Sequence, residues 1–171
     1  VEPEKSTDQL FSGFVQDQIS LGPKIRVTLG TKLEHNDFSG FEFQPSLRMA
    51  WLPRENHTLW AAISRAVRVP TRIERDIAID ITDPAGDPVA RWLGNEDFES
   101  ELLVAYEIGD RWQPLDTLSF DLALFYNDYD RLASLEFGEP FIDTDGRTVI
   151  PITGENLTAG RTYGAELLVE W

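Results

Sequence analysis

From about Lys24 onward this chain alternates apolar and polar residues in runs of ten or more, and a turn bounds each run. Thr117-Leu-Ser-Phe-Asp-Leu-Ala-Leu-Phe-Tyr-Asn127 is the cleanest of them. Successive side chains of a strand point to opposite faces, so Leu118, Phe120, Leu122, Leu124 and Tyr126 share one face, opposite Ser119, Asp121, Ala123 and Asn127. The pattern specifies a sheet with one oily and one wet face. Ten or eleven residues reach roughly 35 Å, well beyond the usual soluble strand. That length suits a tilted strand crossing a bilayer, which takes about 9–11 residues.

Composition narrows the partners. The chain has 171 residues, with 30 acidic against 15 basic side chains and a net charge of −15. Such a surface repels nucleic-acid phosphates, and it lacks the basic clusters that bind anionic inner leaflets. There is no cysteine, which excludes a disulfide framework and a thiolate zinc site. No apolar run approaches the roughly 18 residues of a membrane helix, a test that barrel strands escape because half their residues are polar. The opening Val1-Glu-Pro-Glu-Lys-Ser6 carries no signal-peptide pattern and reads as a mature or mid-protein start.

The spacing predicts seven strands: about Leu10–Ile19, Lys24–His35, Phe41–Trp51, Thr58–Val69, Glu99–Gly109, Thr117–Asp130 and Arg161–Trp171. The first is the least regular, since Phe11, Phe14 and Val15 do not settle on one face. Pro45 cannot donate a ladder hydrogen bond, so a bulge or frayed pairing is expected there. Residues 70–98 and 131–160 show no strand periodicity and read as long loops, and no helix of useful length has a 3.6-residue period. The class is all-β, an antiparallel up-and-down meander.

A meander sends alternate connections to the same end. The short turns 20–23, 52–57 and 110–116 therefore share one end, and both long loops share the other. Short turns at one end and long loops at the other are the habit of outer-membrane barrels. Trp51, Trp60, Trp112 and Trp171 gather towards the short-turn end, as in an aromatic girdle at a membrane interface, with Trp92 the exception in a long loop.

Leu29-Gly-Thr-Lys-Leu-Glu-His35, Pro45-Ser-Leu-Arg-Met-Ala-Trp51 and above all Leu59-Trp-Ala-Ala-Ile-Ser-Arg-Ala-Val-Arg-Val-Pro-Thr71 carry a family likeness. So do Phe98-Glu-Ser-Glu-Leu-Leu-Val-Ala-Tyr-Glu-Ile-Gly109, Phe125-Tyr-Asn-Asp-Tyr129 and the segment from Asn156 through Thr162-Tyr-Gly-Ala-Glu-Leu167. In that order they resemble the barrel of a TonB-dependent outer-membrane receptor. The resemblance implies a bacterial outer-membrane location and uptake of a scarce nutrient, such as an iron–siderophore or cobalamin complex, by a transporter and not an enzyme. Such receptors close about 22 strands around a plug. Against that pattern, residues 1–171 read as an internal slice of the barrel domain, about a third of it, with no plug, no TonB-coupling box and no closing strand.

The resemblance also implies partners: outer-membrane lipid around the barrel, and the plug and TonB system acting through parts of the protein beyond this segment. Two open sheet edges and an uncovered oily face predict that the isolated piece self-associates or needs detergent. The two loops hold much of the acidity, seven acids against three arginines in 70–98 (net −4) and five against two in 131–160 (net −3). At an outer mouth this charge would attract a cationic or metal-bearing ligand and disfavour a strongly anionic one. The candidate ligand contacts there are Arg72, Arg75, Asp83, Asp87, Arg91, Trp92, Asp143, Asp145 and Arg147; the small-molecule ligand itself is not encoded.

No catalytic constellation, metal site or cofactor motif is found. Asp143-Thr-Asp-Gly146 resembles half a calcium loop but lacks the downstream Glu, and with Asp83-Pro-Ala-Gly-Asp87 it reads as a turn. His35 and His57 fall at opposite ends of the sheet. The polar face (Arg26, Lys32, Glu34, Glu42, Arg48, Glu107, Asp121 and Glu166) would line a lumen in a barrel or face solvent in a soluble sandwich. The alternatives to the receptor are accordingly a soluble β-sandwich module binding a ligand or carbohydrate through aromatics such as Trp92, and a smaller porin- or adhesin-type barrel.

Overall fold

A computed structural model describes residues 7–171; the opening Val1–Ser6 stretch lies outside the described residues. Each alternating run forms a strand: β1 (Leu10–Leu21), β2 (Ile25–Asn36), β3 (Gly40–Arg54), β4 (His57–Arg68), β7 (Glu101–Leu115), β8 (Leu118–Phe137) and β10 (Thr148–Glu170). The stretches read as loops are not free of structure. Residues 70–98 contain α1 (Arg72–Asp76) and the hairpin β5 (Ala78–Thr82) and β6 (Pro88–Leu93). In 131–160, β8 runs on past Asp130, β10 begins well before Arg161, and β9 (Phe141–Ile142) lies between them. Seven expected strands thus become ten.

All ten belong to one sheet, in the order β1-β2-β3-β4-β7-β8-β10-β6-β5, with β9 on β10. The long strands form the expected meander, each antiparallel to the next. There is no second sheet to oppose the first among the described residues, which removes the sandwich alternative. The short turns meet along one rim: Leu52 N donates to Lys24 O (2.7 Å), and Asn56 and Gln113 exchange two bonds. His35 and His57 lie near opposite rims, beside Phe41 and Trp112.

Register carries the two faces across the sheet. Val27, Met49, Ala61, Ile108, Leu124 and Ala165 are consecutive cross-strand partners on the oily face. Most of its large side chains stay open, among them Leu29, Leu47, Ile108 and Leu167. Two aromatic rows bound it, Tyr106-Tyr126-Tyr163 above and Trp112-Phe120 below. Along β3, Phe41 to Trp51 covers about 33 Å, which a tilt of about 40° projects to about 25 Å, the height of an outer-membrane apolar band. The polar residues picked from the sequence, from Arg26 to Glu166, all fall on the other face.

Three expectations at the strand level need revision or sharpening. β1 is fully paired with β2 without a register shift, placing Phe11, Val15, Ile19 and Leu21 on the oily face and Phe14 on the wet one. Trp60 does not join the girdle. It pairs with Ala50 and Gly109 on the wet face, and its indole lies where a β-carbon on Gly109 would be. Only a glycine accepts a ring that close to the backbone. At Pro45 the β2 ladder continues, but pairing with β4 starts only at Ser46, so the proline marks where β3 and β4 part. Arg65 fills that split by donating to the Phe43 carbonyl.

Candidate functional site

The rim opposite the short turns carries a folded cap built from both long connections. It begins where β4 ends. Thr71 caps α1, with its hydroxyl accepting from Glu74 N (3.4 Å) while Thr71 N donates to the Glu74 carboxylate (2.7 Å). Arg68 bonds that carboxylate and Glu101 together, 2.8 Å to each, tying α1 to β4 and β7. Burial pushes the Glu74 carboxyl up, but bonds from Arg68 and Thr71 outweigh it and leave the group below its ordinary value.

After α1 the chain doubles back across itself. Gly94 N donates to Ile77 O (2.7 Å) and Asn95 N to Glu74 O (2.9 Å). A β-carbon on Gly94 would collide with the Arg75 backbone, so this crossing requires glycine. Between these points the β5–β6 hairpin reaches out and pairs in parallel with β10 over Ala90–Leu93 and Ile150–Thr153. The two long connections are therefore one piece of sheet. Ile77, Phe98 and Val149 are its large buried apolar side chains, and Pro70 and Pro88 are buried as well.

The two hairpin tips have the same geometry. Asp83 Oδ1 accepts from the backbone N–H groups of Ala85 (2.9 Å) and Asp87 (3.0 Å); Asp143 Oδ1 accepts from those of Asp145 and Arg147 (2.9 Å each). Gly86 and Gly146 supply the left-handed residue of each turn, at φ 91° and 78°. Arg147 bridges the tips, 3.6 Å from Asp87 and 3.5 Å from Asp145. Arg91 pairs with Asp80 (2.5 Å) and lies over the Phe141 ring. Its bond holds the Asp80 carboxyl below the usual range.

The nine residues picked from the sequence thus divide. Asp83, Asp87, Arg91, Asp143, Asp145 and Arg147 gather along the paired hairpins. Trp92 pairs with Ile79 and Ile152 and lines a small pocket of about 190 Å³ with Phe98 and Gly154. Arg72 pairs with Asp76 within α1 (3.4 Å), and Arg75 turns the other way, donating to Phe38 O in the β2–β3 turn (2.5 Å).

Where cap meets wall, a polar cleft of about 250 Å³ was not legible from the sequence. Glu42, Arg75, Glu96, Asp97, Ser100 and Arg131 are among its lining. Glu42 and Ser100 are buried and bonded at 2.5 Å. Arg131 has the one positive φ (55°) among the described non-glycine residues, at a point where the β8–β10 register slips. Such strain persists where the surroundings fix it, and here Asn156 donates to both Arg131 O (2.8 Å) and Glu99 O (3.1 Å). Arg131 also bonds the Glu99 carboxylate (2.9 Å), while its Nε is buried without a partner.

Comparison with known proteins identifies the architecture. The chain belongs to the family of TonB-dependent receptor-like β-barrels, whose model matches residues 2–171. The ferric enterobactin receptor of Pseudomonas aeruginosa is 31% identical over 129 residues, 72% of this chain and 17% of that protein. The iron-regulated outer membrane virulence protein of Vibrio cholerae (El Tor) is 25% identical over 159 residues, 91% of this chain and 24% of its own length. The chain therefore spans about a sixth to a quarter of these relatives. Among solved structures, a double mutant of the P. aeruginosa ferric enterobactin receptor superposes with a TM-score of 0.80 at 25% identity, covering 95% of this chain and 24% of that one. The Serratia marcescens hemophore receptor, solved with its hemophore and heme, shares the fold (TM-score 0.72, 14% identity, 95% of this chain and 31% of that one). These findings place the chain in the bacterial outer membrane.

Proposed function

We propose that the protein containing this chain is an outer-membrane receptor for a scarce iron complex of the siderophore type, and that residues 1–171 are part of its barrel domain. The observation that carries the reading is the division of one sheet into a lipid-facing wall and a folded, polar cap at a single rim. A wall of this kind holds the protein in the membrane, and a cap of this kind meets a ligand arriving from outside. The relatives named for ferric enterobactin support the iron complex as cargo. The plug and the TonB system, acting through the rest of the protein, would supply occlusion and energy.

The cap residues Arg72, Arg75, Asp83, Asp87, Arg91, Trp92, Asp143, Asp145 and Arg147 are the proposed ligand-facing set, joined by the cleft around Arg131. The wall itself carries no transport chemistry. It positions the cap and presents Arg48, Glu107 and Glu166 to the lumen, where the plug would sit. On its own the chain would associate through the outer edge of β1 and the lower edge of β10. The test is iron uptake by source cells starved of iron. Disruption of the full gene should abolish growth on at least one ferric complex, with restoration by the intact gene. Undiminished uptake of every ferric complex tried would contradict the proposal.

A further inference from the structure

β5 is the last strand of the sheet, and among the described residues no strand pairs with its outer edge. All five of its residues, Ala78–Thr82, are exposed. A free edge presents a row of unpaired N–H and C=O groups, which proteins guard with proline, lysine or a bulge, or cover. β5 has neither proline nor lysine, and it pairs with β6 without a shift from Ala78 to Ile81. Its one charge, Asp80, is engaged by Arg91.

The side chains are uncovered in the same place. Ile79, Trp92, Ile152 and Phe137 are consecutive partners across β5, β6, β10 and β8. Ile81, Ala90 and Ile150 form the next row of the same face. Trp92 and Ile152 are half-buried, but Ile79, Ile81, Ile150 and Phe137 are exposed. A contiguous bare apolar face on a part that stands in water marks an interaction surface.

Its position in the sheet points to what covers it. β6 takes the outer edge of β10 only over Ile150–Thr153. Below Thr153 no strand besides β8 pairs with β10 among the described residues. In the receptor proposed above, the wall continues along this open edge. The strand that pairs there runs antiparallel to β10, so it climbs from the short-turn rim towards the cap. β6 and β5 stand above it, reaching two strand spacings, about 10 Å, beyond β10. The climbing strand stops beneath them, and the connection that leaves it emerges beside β5. The free edge of β5 looks along the barrel's circumference, over wall still to come, and not outward to a neighbouring molecule. This chain spans a quarter or less of the relatives compared above, so most of the barrel remains to supply the connection.

Resting on the receptor reading, we infer that the outer connection following the next wall strand adds an extended segment to the free edge of β5 and lays apolar side chains over Ile79 and Ile81. The cap sheet then runs on through β5 into a further outer connection of the same protein.

The experiment uses the full-length receptor in detergent, with the photo-crosslinking residue p-benzoylphenylalanine replacing Ile79 or, separately, Ile81. Each variant is checked for an intact heat-modifiable band. After irradiation, mass spectrometry should find a link within one receptor molecule, joining β5 to a peptide beyond residue 171 in the first long connection after it. A link between two receptor molecules overturns the inference, as does a link only to detergent or to residues 1–171. Hydrogen exchange on the unaltered receptor reads the same edge without a substitution. The amides of Ala78–Thr82 should exchange within about tenfold of those of Val89–Leu93, at any receptor concentration. Faster exchange than that, or protection that grows with concentration, overturns the inference. Neither readout depends on uptake, so failure here is distinct from failure of the receptor reading, which shows as undiminished uptake of every ferric complex after gene disruption.

Discussion

The wall and the cap dispose of apolar side chains in opposite ways. In the wall, Ile108, Leu124 and Leu167 are 56%, 44% and 66% exposed; in the cap, Ile77, Phe98 and Val149 are 6%, 3% and 0% exposed. The same sheet runs through both, and β8 and β10 each cross from one to the other. What changes is the solvent. In the receptor proposed above, lipid covers the wall's oily face, so its strands need no opposing layer, only complete backbone pairing. The cap stands in water and must bury its own core, which it does by folding one connection across the other.

This contrast can be broken from either side. The largest effect is expected from Phe98→Ala in the intact receptor. Removing a buried phenyl costs about 3–5 kcal/mol, and the loss should fall on the cap alone. Limited proteolysis should then cut near residues 83–87 and 143–147 while the heat-modifiable band persists. Leu124→Arg is the complementary change, placing a cation between the two aromatic rows. It should cost about 2–4 kcal/mol of stability, measured by folding into lipid vesicles, and leave cap protease resistance unchanged in whatever receptor folds.

Gly94→Ala sharpens the comparison by touching only the crossing. Overpacking typically costs about 1–3 kcal/mol, seen as faster hydrogen exchange at Gly94 and Asn95 than in the wall. Acidification should have the smallest effect. The carboxyls of Glu74 and Asp80 are lowered from ordinary values of 4.5 and 3.8. A lowered folded-state pKa gives stability that is present above the ordinary value and lost as pH falls through the folded value. Cap exchange should therefore rise below about pH 4 while wall exchange stays flat.

The difference also explains what was legible in the sequence. The wall could be read because a strand between two solvents repeats its pattern every second residue, as Leu118 to Tyr126 do. The cap could not, because its core is a handful of residues drawn from distant points, Ile77, Phe98 and Val149 among them, and its strands are short. Trp60 was misplaced for a related reason. Its position next to a turn suggested a girdle, but the glycine that admits its ring to the wet face lies far along the chain, at Gly109. At the cap, six of the charged residues picked one by one lie along the paired hairpins, whereas Arg72 and Arg75 do not. Arg131, which lines the cleft and has a positive φ, left no mark in the residue pattern.

The account stands most directly on which face of the wall meets lipid. Residues 1–171 hold no cysteine, and in a full receptor cleared of any cysteine elsewhere, single cysteines along β8 from Leu118 to Asn127 can each carry a spin label in vesicles. Positions 118, 120, 122, 124 and 126 should be open to dissolved oxygen, and positions 119, 121, 123, 125 and 127 to a water-soluble nickel chelate. Accessibility without a two-residue period, or with the two sets exchanged, would contradict the barrel-wall account.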